Sequence, residues 1–185
     1  MRFASLALLV ERAAAVARRF PFSLIAGAVA ATSAIIAVDG VGQDRWGRLA
    51  FVASLGLPTT IALRLLAERR KWSTSLQRFA PGLGLIVLAG FYAAWPGPEP
   101  KHETIRYLQL SAAVHLAVAF LPLAGARGSL GFWQYNRRLF LGFLRAVVFS
   151  GVLFVGIAVA LASVDQLFGV DIEEETYARI WFVMA

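Results

Sequence analysis

Tyr107, Ser111 and His115 recur at four-residue spacing, so a helix through them carries a phenol, a hydroxyl and an imidazole on one face. Inside an apolar span, such a histidine is a candidate proton relay or ligand contact. The plainer reading is a neutral imidazole hydrogen-bonded between helices. His102 is read as a loop residue, and the spans contain no carboxylate to pair with His115. Arg64 and Arg145 also fall in apolar stretches, each near one end, where a long stem can carry the guanidinium to the headgroups. The sharper alternative is recognition of an anionic lipid or substrate, with Thr60 one turn from Arg64 and Pro58 opening the backbone beside it.

Other polar clusters are poorer in chemistry. Asp171, Glu173, Glu174 and Glu175 offer oxygen ligands for a hard cation, but without the spaced Asp/Asn–Gly pattern of a calcium loop. Asp171 as a helix cap, followed by glutamates favouring a positive helix end, explains the run as well. Arg69, Arg70 and Lys71 attract anionic lipid, at about 1 kcal/mol per basic residue near the surface. Pairs such as Gly27/Ala31, Gly90/Ala94 and Gly156/Ala160 permit close helix contact. Gly82 and Gly84 carry no weight as a phosphate loop. The sequence shows no nucleophile elbow, HExxH or paired carboxylates. It has no cysteines, which excludes disulfides and thiolate chemistry. No catalytic residue, cofactor site or metal site is assigned.

The elements that must position these side chains are apolar. Hydrophobic residues make up 59% of 185 positions and charged residues only 16%, with a mean hydropathy of +0.68. A soluble domain carries roughly 25% charged residues, so lipid is the expected solvent here. A hydrocarbon core needs about 20 helical residues. Five stretches meet that need: Phe22–Val38, Leu49–Ala67, Phe79–Trp95, Leu108–Ala124 and Phe140–Val164. Pro58 interrupts the second, and Pro81 is expected in the first turn of the third. Tyr177–Ala185 begins a sixth span and is read as its first half, as in a piece of a longer chain. Residues 1–20 repeat Leu6, Leu9, Val10, Ala13, Val16 and Phe20 at helical spacing, which predicts an interfacial helix turning inward at Pro21. A cleaved signal peptide is the rival, but Phe22–Val38 exceeds the usual apolar length of about 7–15 residues.

The loops set the orientation. Arg2, Arg12, Arg18 and Arg19, then Arg69, Arg70, Lys71 and Arg78, then Arg127, Arg137 and Arg138 fall on one side. Arg45, Arg48, Lys101, Arg106 and Arg179 fall on the other, mixed with acids. The positive-inside rule places the first side, and the N-terminus, in the cytoplasm. The net charge of +7 is thereby read as a threading signal and not as nucleic-acid binding. Trp72, Trp133 and Tyr135 on one side, and Trp46, Trp95, Tyr107, Tyr177 and Trp181 on the other, are expected as aromatic belts.

The most distinctive segment is Phe132-Trp133-Gln134-Tyr135-Asn136-Arg137-Arg138-Leu139-Phe140-Leu141. With Ser150–Phe154, Asp165–Val170 and the Arg-Arg-Phe-Pro run at Arg18–Pro21, it resembles the bacterial membrane-protein family catalogued as domain of unknown function 4153. Members are typically longer, with further spans. The family has no established activity, so the resemblance implies a topology and no catalytic residues. Read from its residues, the segment is an interfacial elbow: Trp133 and Tyr135 at the headgroups, Arg137 and Arg138 at the cytoplasmic end, Gln134 and Asn136 pairing loose backbone groups. A surface for a cytoplasmic partner is the other reading of it.

The expectation is an all-α polytopic transmembrane helical bundle with five full spans and a truncated sixth, in a bacterial cytoplasmic (inner) membrane. Its partners are the lipid bilayer, with anionic lipid at the cytoplasmic face, and a second copy or another membrane protein. A non-enzymatic structural or sensory role leads. A transporter or channel using His115, Arg64 and the Pro58 break is the alternative, and a lipid-acting enzyme with reactive residues beyond Ala185 is a third.

Overall fold

A computed structural model describes residues 6–97, 101–124 and 129–184. Arg2, Glu99, Arg127 and Ala185, and the side chains of Leu6 and Leu9, lie outside the described residues. The described chain is all-helical: α1 (Leu6–Arg19), α2 (Pro21–Val38), α3 (Gln43–Arg69), α4 (Thr74–Ala94), α5 (Lys101–Phe120), a 3-10 turn (Leu121–Leu123), α6 (Ser129–Phe168) and α7 (Glu174–Met184). Five of these helices are long and apolar enough to cross a membrane, with α5 continuing through its 3-10 turn. Each covers one of the stretches expected from the sequence, except that Trp95 and Ala124, the last residues of the third and fourth, fall just past the helix ends.

α3 is the hub, packed against α2, α4, α5 and the 3-10 turn, while α7 lies on α2 and α6. Val52 and Leu55 of α3, Leu88 of α4 and the adjoining Trp95 form the buried centre. Glycine sets the closest approaches. A Cβ on Gly56 would stand 2.8 Å from the Ala26 Cβ, and one on Gly84 would stand 2.6 Å from the Leu63 Cδ1. The small-residue pairs expected to pack do less: Gly27 has ordinary contact with Leu57, and Gly90 and Gly156 face open space.

Outside that centre the surface is apolar. Phe149 is 73% exposed, Val87 72% and Val152 68%. Exposed aliphatic and aromatic area on this scale is unfavourable in water and suits a hydrocarbon environment. The 40 residues of α6 extend about 60 Å at 1.5 Å per residue, so its Ser129–Leu139 end outruns a 30 Å core.

Several local expectations are corrected. Ser73 caps α4, accepting from the Leu76 N–H at 3.4 Å, so the helix starts well before Phe79 and Pro81 lies in its interior. His102 belongs to the first turn of α5, with Nε2 3.2 Å from Glu103. Asp171 is not a helix cap: its φ is +50°, and α7 begins three residues later with Glu174 and Glu175 in its first turn. The expected elbow at Phe132–Leu141 is continuous helix within α6, as suits a segment with no proline or glycine to break it. Trp95 is buried rather than belt-like, stacked between Phe91 and Tyr107 at 5.6 and 5.7 Å.

Candidate functional site

Pro21 opens α2 directly after α1, and the turn after Arg70 returns the chain from α3 into α4. These two reversals bring four arginines to one end of the bundle. Arg18 and Arg19 close α1, Arg64 lies in the last two turns of α3, and Arg78 follows the first turn of α4. Together with Ser23, Thr60, Phe22 and Phe79 they line a cavity of about 400 Å³.

Arg64 is held at two points. Its Nε donates to Glu68 Oε1 at 2.9 Å, and its Nη1 donates to the Gln77 carbonyl at 2.7 Å. Gln77 precedes Pro81 by one helical step, and a proline has no N–H to give that carbonyl. Arg64 supplies the missing donor from the neighbouring helix. Glu68 also receives Arg19, Nη2 to Oε2 at 2.6 Å, so one carboxylate joins α1 to α3. Its hydrogen bond is the main reason the Arg19 guanidinium is held above its ordinary pKa, against the opposing effect of burial. Arg18 and Arg78 have no carboxylate partner among the described residues. At the floor, Thr60 Oγ1 lies 2.7 Å from the Gly56 carbonyl and 2.8 Å from Ser23 Oγ. With its single proton given to Gly56, Thr60 accepts from Ser23. The arrangement can hold an anion, and its hydroxyls are engaged with each other rather than poised to react.

Tyr107, Ser111 and His115 share a face of α5, as their spacing predicts. His115 Nδ1 lies 2.7 Å from the Ser111 carbonyl, so Ser111 contributes its backbone and not its hydroxyl. Tyr107 meets Ser54 of α3 at 2.7 Å; because Ser54 donates to the Phe51 carbonyl, the phenol is the donor. Tyr107, His115, Ser54, Pro58 and small residues of α2 line a second cavity of about 530 Å³. Arg64 is absent from its lining. The three features expected to act together are therefore split, His115 and Pro58 in one cavity and Arg64 in the other.

The α6 motif is divided by its neighbours. Tyr135 donates to the Val118 carbonyl at 2.9 Å, and Asn136 reaches the Ala119 and Phe132 carbonyls at 3.5 and 3.1 Å. Val118 is the carbonyl that Pro122 leaves without a helical donor. Gln134, Arg137 and Arg138 edge a shallow hollow of about 300 Å³, and Trp133 is exposed. Arg145 stands exposed on α6, away from the Arg64 cavity.

Sequence reasoning missed Ser23 and Arg78 as members of the arginine cavity, and Glu68 as the carboxylate that binds two of its arginines. It also missed Arg48, whose Nη2 donates to the Tyr92 carbonyl at 2.7 Å while the guanidinium lies 5.0 Å from the Tyr92 ring centroid. Tyr92 stands before Pro96 as Gln77 does before Pro81. Pro81 was the available signal for Gln77, because it opens a carbonyl inside α4, whereas the Tyr92 carbonyl is open because α4 ends at Ala94.

Among the described residues, fold and sites together define an all-helical protein with five helices fit to cross a membrane and a cation-lined cavity at one end of its bundle. No protein-family model, curated protein or solved structure matches the chain.

Proposed function

We propose that the chain is a multi-pass protein of a bacterial cytoplasmic membrane, with its N-terminus in the cytoplasm, acting as a non-enzymatic structural or sensory component in contact with anionic lipid. The reading is carried by the segregation of charge along the bundle. Arg18, Arg19, Arg64 and Arg78 surround one end, next to the Arg69-Arg70-Lys71 run that closes α3. At the other end, Asp39 after α2 pairs with Arg179 of α7 at 2.8 Å. Basic clusters favour the cytoplasmic, anionic leaflet. In this topology α1 rests on the membrane surface, α2 to α6 span, and α7 enters from the outer side as part of a sixth span. The resemblance to domain of unknown function 4153 is consistent with this threading.

The absence of cysteine makes the test direct. Gln43→Cys and Thr74→Cys lie at exposed positions at opposite ends of the bundle. In intact cells a membrane-impermeant maleimide is expected to label Gln43→Cys, and to reach Thr74→Cys only after lysis. The reverse pattern overturns the orientation, and labelling of both in intact cells overturns the crossing of α3.

A second reading, solute or proton transfer through the bundle, is favoured by the His115–Tyr107–Ser54 cavity, which Pro58 also lines, although α3 runs through Pro58 without the expected interruption. Proteoliposomes containing a trapped pH-sensitive dye would show a proton leak that His115→Ala reduces. Equal leak in both proteins removes this reading.

A further inference from the structure

We infer that the arginine cavity between α1, α2, α3 and α4 binds a phosphate group. This deepens the anionic-lipid reading above by naming the site and the chemistry it recognises.

Among the described residues, the four guanidinium groups there meet one carboxylate, Glu68, and it bonds only Arg19 and Arg64. Arg18 and Arg78 approach the same space from α1 and α4 without an acidic partner among the described residues. An unbalanced cluster of cations at the membrane surface is repulsive unless an anion joins it. The cavity has room for one, at about 400 Å³. Guanidinium groups match phosphate in particular, since their planar donor forks take two oxygens of one group. Arg64 cannot move toward a ligand, because Glu68 and the Gln77 carbonyl fix it. It serves as the static back wall, while Arg18 and Arg78, both exposed, can close from the rim. The Ser23–Thr60 pair adds polarity at the floor without adding an acid. The start of α2 at Pro21 contributes the positive end of a helix dipole. The phosphate can come from a lipid headgroup or from solution, and the chemistry is shared.

The full chain, purified in detergent or placed in phosphatidylcholine nanodiscs, permits both sources to be tested. The probes are nanodiscs doped with phosphatidylglycerol or phosphatidic acid, and inorganic phosphate or pyrophosphate added to the detergent sample. The key variant is Arg18→Gln with Arg78→Gln, which removes no ion pair. Arg138→Gln is the control, equally basic but on α6. The double variant is expected to weaken binding at least about tenfold, and the control to change it little. Loss of lipid retention, read by native mass spectrometry, with no effect of soluble phosphate assigns a headgroup. Loss of a phosphate-induced thermal shift in detergent assigns a soluble ligand. Binding unchanged in the double variant, or weakened equally in Arg138→Gln, overturns the proposal. Phosphate binding in detergent does not depend on threading, so a failed cysteine-labelling experiment would leave this result readable.

Discussion

The Arg64 guanidinium on α3 donates to the Gln77 carbonyl on α4 at 2.7 Å, at the position where Pro81 withholds the helical N–H. The same relation recurs between Arg48 and the Tyr92 carbonyl before Pro96, and between Tyr135 and the Val118 carbonyl before Pro122. In a low-dielectric bundle an unpaired carbonyl is costly, and at these three positions, one inside α4 and two at helix ends, a side chain from another helix supplies the donor. These bonds join α3 to α4 twice and α5 to α6 once.

Arg64→Met is therefore expected to destabilise the protein by about 1.5–3 kcal/mol, the usual worth of a hydrogen bond to a charged group. Pro81→Ala restores the N–H to Gln77, so the same substitution in that background should cost less. A double-mutant cycle read by denaturation in mild detergent should give a coupling of about 1 kcal/mol or more. Zero coupling would mean that Arg64 is held for its bond to Glu68 alone. Arg64→Lys should behave more like the methionine variant, because a single ammonium cannot span Glu68 and Gln77 as the planar fork does.

Tyr135→Phe removes only the hydroxyl that serves Val118. A loss of about 1 kcal/mol is expected, and Pro122→Ala should suppress it by letting the α5 ladder supply its own donor. Thermal unfolding of the two single variants and the double variant checks this. A full loss in the double variant would show that the hydroxyl matters for a reason other than the open carbonyl.

Gly56→Ala places a methyl 2.8 Å from the Ala26 Cβ, a contact that neither side chain can relieve by rotation. α2 and α3 must separate, and a loss of about 1–3 kcal/mol is expected from overpacking. Gly90→Ala, which meets nothing within 4 Å, is the matched comparison and should be neutral or stabilising. Equal behaviour of the two alanine variants in a melting experiment would contradict the close approach at Gly56.

Lys71 holds φ at +53° immediately after the α3 cap, while its N–H bonds Glu68 and the Trp72 N–H bonds Ala67. This is the six-to-one and five-to-two closure in which glycine is favoured. Lys71→Gly is expected to stabilise the protein by about 1 kcal/mol by removing the left-handed strain. A lower melting temperature in the variant would show that the lysine charge at the end of α3 outweighs the backbone cost.

The sequence by itself determined the helices and their apolar lengths. Hydropathy and the spacing of charges are local quantities, and a helix satisfies its own backbone whatever surrounds it. The common face of Tyr107, Ser111 and His115 was legible for the same reason. Helix starts were less so: Ser73 as a cap outweighed the hydropathy boundary at Phe79 and moved Pro81 inward. Tertiary structure alone decided which side chains meet. Nothing near Arg64 in the chain identifies Arg19 or Gln77 as its neighbours, because those contacts arise when α1, α3 and α4 pack. Packing also made Gly56 and Gly84 the close contacts in place of the pairs at four-residue spacing, since a small residue matters only where another helix approaches it. Pro81 belongs to both accounts. Its position shows that the Gln77 carbonyl is left open, and the fold chooses the donor.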